Sequence, residues 1–347
     1  MSTKSSPLTE NRDALFDNIR CLMIFLVVLG HMFSPVSGQN DAAQLIYKTA
    51  FLTHMPVFVL LSGYFSKNVE KSRDTAVAKF LLPYLVLNLL SWGIYILQGG
   101  KAWYKLDIFY PRWGLWFLLA MFVWKIFLKD LVRIRYILPI SFGVGLLAGL
   151  FDKLDSDMAM GRIFAFLPFF LLGYFLKKEH IEKLRRLPKW IPSLGLLISL
   201  GFVVFTHFNY KHKWVEFLCF KHQMYFMRDS YHTCKLSMSD GMIVRAFLYL
   251  TALIMIFSLI AIFPRKRCYF SYIGQNTLPI YAIHLFLLPY IKNLELFGGS
   301  GWGYNLFSIL ISAALVLLLS SRPVVLAYQA VFNFLEQLIF PKNKTNA

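Results

Sequence analysis

Long apolar runs separated by short polar segments make up most of this chain. Ten such runs can be marked along its 347 residues. They cover residues 19–37, 45–66, 80–98, 113–128, 134–151, 162–176, 190–207, 241–263, 270–291 and 303–321. A helix rises about 1.5 Å per residue and a bilayer core is about 30 Å thick, so runs of this length are typical of membrane-spanning helices. The pattern predicts an all-α, polytopic membrane helix bundle with about ten transmembrane helices.

Basic residues in the connecting segments predict the orientation of these helices. Lys and Arg are concentrated in alternate connections, at 67–79, 129–135, 177–189, 264–267 and in the C-terminal "PKNK". The connections between them include "SGQNDAAQ", "DKLDSDMAMG" and "KNLELFGGSGWG", and "GGKAWYKLDIFYPR" is a weakly basic exception. Since basic loops stay on the cytoplasmic side, this alternation indicates an even number of spans with both termini in the cytoplasm.

Composition agrees with a membrane protein and excludes other classes. The chain is 57% hydrophobic and only 16% charged, which is too apolar for a soluble globular protein. Its formal net charge of +18 would suit a nucleic-acid binder, but the basic clusters alternate with apolar runs and therefore indicate a lipid partner. No nucleic-acid partner is expected. No hydrophilic stretch is long enough to fold separately, so residues 1–347 form one predicted membrane domain.

Two segments outside the apolar runs have a distinct character. Residues 208–240 form a long extracytoplasmic loop, and residues 324–347 form an amphipathic C-terminal tail that extends the last span or lies on the inner surface. The loop contains Cys219, His222, His232 and Cys234. Their inner spacings do not match common structural zinc sites, so no metal is expected, and a Cys219–Cys234 disulfide stays open.

The first apolar run carries two polar residues that are costly in hydrocarbon. Arg20 and His31 are eleven residues apart, about 1100° of helical rotation, so they lie on one face with His31 about 16 Å deeper in the bilayer. His31 could act as a general base, or it could be a packing group bonded to a backbone carbonyl. Arg20, with Asp17 one turn before it, could clamp a phosphate or carboxylate, or its guanidinium could simply reach for headgroups.

Three further polar residues lie inside apolar runs. His54 and His284 fall at mid-membrane depth, and each could transfer protons or serve as packing glue. Arg162 opens the sixth run at its outer end, where interface anchoring competes with a binding role.

Five segments in order along the chain resemble motifs of the integral-membrane acyltransferase 3 family, in particular the branch grouped with fucose 4-O-acetylases. The first-span signature of that family, Arg-x10-His, is similar to "FDNIRCLMIFLVVLGH", which places Arg20 and His31 at its two positions. The other four segments are "HMPVFVLLSGYF", "LWFLLAMFVW", "GRIFAFLPFFLLGYFL" and "YIGQNTLPIYAIHLFLLP". The resemblance therefore extends over all ten predicted spans.

This resemblance implies transfer of an acyl group, most often acetyl from acetyl-CoA, to a sugar hydroxyl of a surface or exported glycan. His31 is then the expected catalytic base, Arg20 is the donor-side catalytic candidate, and the substrate-binding candidates are Lys79, His54, Arg162, His284 and Asp17. Many relatives carry an Arg-x-x-Arg motif before the third span, where this chain has only Lys79 in "AKFLLPYL". Lysine is a point charge without the fork of arginine, which weakens the donor-binding assignment there.

The expected partners are acetyl-CoA as co-substrate, a glycan or lipid-linked sugar, and membrane lipid, in a bacterial inner membrane; homo-oligomerisation stays open. Succinyl or another acyl donor is the alternative within the enzyme class. A transporter or flippase with a proton-relay histidine is the alternative from another class.

Overall fold

The computed structural model describes residues 14–34, 40–97, 108–154, 157–208, 227–293 and 301–340. Within these ranges the chain forms fourteen α-helices and no strand. The helices are α1 Leu15–Phe33, α2 Asp41–Tyr64, α3 Val69–Asp74, α4 Leu82–Leu97, α5 Trp116–Leu131, α6 Ile137–Leu147, α7 Met160–Phe175, α8 Lys178–Arg185, α9 Trp190–Phe208, α10 Met238–Ile262, α11 Tyr269–Gln275, α12 Thr277–Asn293, α13 Trp302–Leu319 and α14 Arg322–Ile339.

Nine of the ten apolar runs each coincide with one of these helices, and the run 270–291 is divided between α11 and α12, which confirms the predicted all-α membrane bundle. In the described residues, six helical segments are long and apolar enough to cross a membrane, and the pair α7 and α8, bent by 91°, makes a seventh if it is taken as one span. The count of ten spans and the cytoplasmic position of both termini stay predictions. The six segments are Leu15–Phe33, Asp41–Tyr64, Val77–Leu97, Trp190–Phe208, Met238–Ile262 and Trp302–Leu319.

Helix α1 begins four residues before the predicted start of the first apolar run, because the polar residue Asn18 is part of its packing. Asn18 donates to the carbonyl oxygens of Pro264 at 2.8 Å and Lys266 at 3.1 Å, and Ser271 donates to Asn18 at 2.6 Å. These bonds satisfy a buried amide and fix α1 against α11. The rest of α1 packs against α2, α12 and α13, so α1 lies at the centre of the bundle.

Helices α2 and α7 cross at two glycines, one from each helix. A Cβ atom added to Gly63 would overlap the carbonyl oxygen of Phe170, and one added to Gly173 would overlap the carbonyl oxygen of Leu60. The absence of both side chains lets the backbones touch, as small residues do at helix interfaces in membranes. This contact brings the C-terminal ends of α2 and α7 together.

Helix α14 begins two residues before the predicted tail. Its large apolar side chains Leu326, Val331, Phe334 and Leu338 are exposed, as expected for a helix lying on a membrane surface. In the long loop, Cys219 and His222 lie outside the described residues, and so does the pairing proposed for Cys219.

Gly63→Ala and Gly173→Ala should each destabilise the protein by about 1–3 kcal/mol, because each new methyl group meets backbone that cannot move aside cheaply. Gly201→Ala, in α9, is the matched control, since nothing lies within 4 Å of a Cβ built there. Thermal unfolding of the three variants in detergent measures the difference. Equal stability of Gly63→Ala and Gly201→Ala would contradict the close crossing.

Candidate active site

Three histidines from three helices meet in the interior of the bundle. The ring centroid of His31 on α1 lies 5.5 Å from that of His284 on α12 and 5.8 Å from that of Phe51 on α2. The Phe51 ring lies 4.9 Å from that of His54. Gly30 permits this arrangement, because its missing side chain leaves room for Phe51 against α1. Helix packing therefore unites residues that are far apart in the sequence.

Two of these histidines are buried and form hydrogen bonds within their own helices. His54 and His284 are buried, with exposures of 1% and 0%. The Nδ1 atom of His54 contacts the carbonyl oxygen of Ala50, and that of His284 contacts the carbonyl oxygen of Ile280 at 2.9 Å. A carbonyl oxygen only accepts, so each Nδ1 must carry the proton and each Nε2 is left as the basic nitrogen.

His31 differs from the other two because it is only half-buried. A general base must be reachable by the group whose proton it takes. Among the three clustered imidazoles, His31 alone combines partial exposure with a position next to a second, buried imidazole.

Arg162 approaches the same region from the outer end of α7. Its Cζ atom lies 4.7 Å from the ring centroid of Trp116, a cation–π contact. Its Nε atom is buried with no hydrogen-bond partner, and no carboxylate within the described part of the chain lies at ion-pair distance. The aromatic rings of Trp116, Phe117 and Tyr281 form a row that leads from this guanidinium to His284. A guanidinium whose Nε is buried without a hydrogen-bond partner is a candidate binding group.

Arg20 lies near the N-terminal end of α1, where neighbouring side chains contact its guanidinium. Its Nη1 atom is 3.4 Å from an oxygen of Asp17, and its Cζ atom lies 4.4 Å from the ring centroid of Phe65. Asp17 is 1% exposed and accepts a second bond from Gln275 at 3.0 Å. These contacts hold the guanidinium of Arg20 beside Asp17 and Phe65.

The face of α1 between Arg20 and His31 is not an open groove. Ile24, Val27 and Val28 on this stretch are buried in an apolar cluster. A donor held at Arg20 therefore cannot follow that stripe to His31 without displacing apolar side chains.

Lys79 is exposed and lies in a π-helical turn, Val77–Leu81, a geometry that is frequent at functional sites.

Sequence reasoning missed Lys125, a neighbour of Lys79. Lys125 is buried on α5 and donates to Ser66 at 2.7 Å and to Ser72 at 3.3 Å, with no ion-pair partner among the described residues. The signal was available as a lysine inside the fourth apolar run. Lys125 supplies a second cation near the position where many relatives carry an arginine pair.

The described residues contain no group of three or more His, Cys, Asp or Glu side chains that could hold a metal ion.

Comparison with known proteins identifies the family of this chain. The sequence model of the acyltransferase domain family matches residues 13–321. The chain belongs to the acyltransferase 3 family. The resemblance carried by the five motifs is thereby confirmed, and family membership supports an acyltransferase enzyme in a membrane.

Two curated relatives of this acyltransferase are nodulation proteins. A stretch of 95 residues is 33% identical to nodulation protein NolL of Mesorhizobium japonicum, covering 25% of this chain and 26% of that protein. A stretch of 132 residues is 28% identical to nodulation protein NolL of Sinorhizobium fredii, covering 33% of this chain and 36% of that protein. The matches thus span about a quarter to a third of these relatives. No solved structure matches the acyltransferase.

Arg162→Met should leave the stability of this acyltransferase unchanged or raise it, because the substitution removes a half-buried charge that has no carboxylate at ion-pair distance among the described residues, and keeps apolar contact with Trp116. Arg245→Met is the matched comparison. Arg245 is buried and donates to the carbonyl oxygens of Gly145 at 3.0 Å and Asp229 at 3.3 Å, so its loss should cost about 2 kcal/mol or more. Thermal unfolding in detergent distinguishes the two. A loss in Arg162→Met as large as in Arg245→Met would assign Arg162 to the fold.

Proposed function

We propose that this chain transfers an acetyl group from acetyl-CoA to a sugar hydroxyl of a surface or exported glycan, or of a lipid-linked sugar. The observation that carries the proposal is the half-buried His31 beside the buried His284, on the helix that also carries Arg20. Membership of the acyltransferase 3 family supports the reaction class. The acceptor and the acetyl donor are proposals that rest on the motifs described above.

The proposed reaction uses His31 as a general base. As the acceptor hydroxyl attacks the thioester carbonyl carbon, Nε2 or Nδ1 of His31 takes the hydroxyl proton, and a C–O bond forms. The C–S bond then breaks, and the same proton returns from His31 to the sulfur of CoA. The products are the acetyl ester and CoA with a free thiol, and the imidazole is restored to its neutral form.

His284 and His54 act as positioning residues in this proposal. Each is fixed by a bond from Nδ1 to a carbonyl oxygen one turn earlier. The ring of His284 packs directly against His31, and the ring of His54 packs against Phe51, which contacts His31. The contact between the rings of His31 and His284 limits the orientations that His31 can adopt. A base held in one orientation loses less entropy when it meets the reacting hydroxyl.

Arg162 is proposed as the acceptor-side binding residue. It lies on the outer part of α7, its Nε is buried, and the row of aromatic rings connects it to the histidine cluster. A guanidinium in this setting can donate to hydroxyl or carboxylate oxygens of a sugar. Aromatic side chains such as Trp116 offer the flat apolar surface on which sugar rings pack.

The donor is proposed to enter from the cytoplasmic side, where Arg20, Lys79 and Lys125 add positive charge near the ends of α1, α2 and α5. Attraction of this kind suits the phosphates of CoA. Because Ile24 and Val27 close the direct stripe, the acyl arm must reach His31 beside α1 or after local side-chain movement. We place the protein in a bacterial inner membrane, which is in keeping with the rhizobial sources of its relatives.

His31→Gln should lower acetyl transfer by about 10²-fold or more, since an amide keeps a polar group at this position but cannot take up the proton. Binding of CoA should be retained. His180→Gln on α8 is the matched control: the new amide oxygen can still accept the backbone N–H of Lys177, as His180 does at 3.2 Å. Transfer from radiolabelled acetyl-CoA in membranes, with mass spectrometry of surface glycans, measures the effect. Normal acetylation by His31→Gln would remove His31 from the reaction.

A further inference from the structure

A cavity of about 700 Å³ lies at the joined cytoplasmic ends of α2 and α7. Aromatic rings and lysines dominate its lining, with one carboxylate at the rim. The lining residues are Tyr64, Phe65, Lys67, Tyr174, Phe175, Leu176, Lys177, Lys178 and Glu179. None of the residues proposed as base or acceptor group is among them.

The cavity is built from two copies of one short pattern. Residues 63–67 read "GYFSK" and residues 173–177 read "GYFLK". The backbone contact of Gly63 and Gly173 sets the two copies side by side, so that each contributes a tyrosine, a phenylalanine and a lysine. The glycine crossing thus determines the shape of the cavity.

The charges of the cavity are not balanced. Lys67 is anchored, because its Nζ donates to the carbonyl oxygens of Tyr174 and Leu176 at the end of α7, the latter at 2.7 Å. Burial, and then the charge of Lys177, lower the pKa of Lys67. Lys177 and Lys178 are exposed at the start of α8, and no carboxylate in the described ranges lies at ion-pair distance from either. Three cations beside one carboxylate favour an anionic ligand.

The cavity adjoins the helix that carries the proposed base. The ring of Phe65 lines the cavity, and the guanidinium of Arg20 lies over the same ring. A ligand in the cavity would therefore end next to Arg20, about 16 Å along α1 from His31. An extended pantetheine arm is suited to a separation of this order.

We propose that this cavity binds the phosphorylated nucleotide end of the acyl-CoA donor, with Lys177 and Lys178 at the phosphates and the tyrosine and phenylalanine rings against the adenine. The inference rests on the proposed function. A nucleotide combines a flat aromatic base with anionic phosphates, which is the combination that the lining offers. A lipid headgroup would use the lysines but would leave the four aromatic rings without a matching surface.

The test compares two double variants of the full chain purified in neutral detergent. Lys177→Gln with Lys178→Gln removes the two exposed cations of the cavity. Lys183→Gln with Lys189→Gln removes the same charge from exposed positions of the same connection outside the cavity. The probes are CoA, adenosine 3′,5′-bisphosphate, inorganic phosphate and phosphatidylglycerol vesicles, with binding measured by calorimetry or by co-sedimentation with vesicles.

The cavity variant should bind CoA and adenosine 3′,5′-bisphosphate about tenfold or more weakly than wild type, while the control variant keeps both affinities. It should also show a raised KM for acetyl-CoA with an unchanged kcat. Acetyl-pantetheine lacks the nucleotide, so wild type and cavity variant should turn it over equally. A misfolded variant would instead lose activity with both donors.

Unchanged CoA affinity in the cavity variant, with clear CoA binding by wild type, would overturn this inference and leave the proposed function standing. Loss of vesicle binding with normal CoA binding would reassign the cavity to lipid, and equal losses for inorganic phosphate and CoA would reduce it to an unspecific anion site. If wild type binds no CoA at all, the acyl-CoA donor of the proposed function fails as well.

Discussion

The cost of placing polar groups inside an apolar bundle is the constraint on which the proposed site depends. A buried imidazole must find a hydrogen-bond partner or a ligand, because leaving a polar group unsatisfied in hydrocarbon costs several kcal/mol. At Nδ1, His54 and His284 meet this requirement within their own helices, through Ala50 and Ile280. His31, on the central helix, contacts His284 directly and His54 through Phe51, and it stays half-buried. Two of the three rings are therefore buried and held in place, and the third, His31, is the one that we propose a substrate reaches.

A second constraint arranges the end of the bundle where α2 and α7 end. Helices α2 and α7 touch through Gly63 and Gly173, and this contact joins two short patterns that each end in a lysine. The same end of α2 presents Phe65 to Arg20 and Ser66 to Lys125. Cations from α1, α5 and the start of α8 thus lie near this one helix end, together with Lys67 just beyond it. The histidines lie deeper in the bundle, on α1, α2 and α12. The cations and the proposed base are therefore separated along the bundle, although both groups lie on or next to α1 and α2.

Much of this arrangement could be predicted from the sequence because it follows from periodicity. The eleven-residue spacing placed Arg20 and His31 on one stripe, and the apolar runs located the helices to within a few residues. The early start of α1 was missed because Asn18 looks like a residue outside the membrane, whereas it bonds to Pro264 and Ser271. The meeting of His54 and His284 with His31 depends on contacts between distant helices, which no local pattern encodes.

Two further features needed the three-dimensional structure. The repeated "GYF" pattern can be seen in the sequence. That neither Gly63 nor Gly173 has room for a side chain follows only from the way the two helices cross. Burial of Ile24 and Val27 likewise follows from packing, and it turns a straight path from Arg20 to His31 into a path that must pass beside α1 or open locally.

Access to His31 is the central claim, and chemical labelling tests it most directly. Diethyl pyrocarbonate modifies imidazoles that water can reach, and mass spectrometry of the labelled full-length protein in membranes resolves each histidine. The account predicts labelling of His31, protection of His31 by added CoA, and little labelling of His54 and His284. Resistance of His31 equal to that of His54 and His284, or labelling of His31 that CoA leaves unchanged, would contradict it.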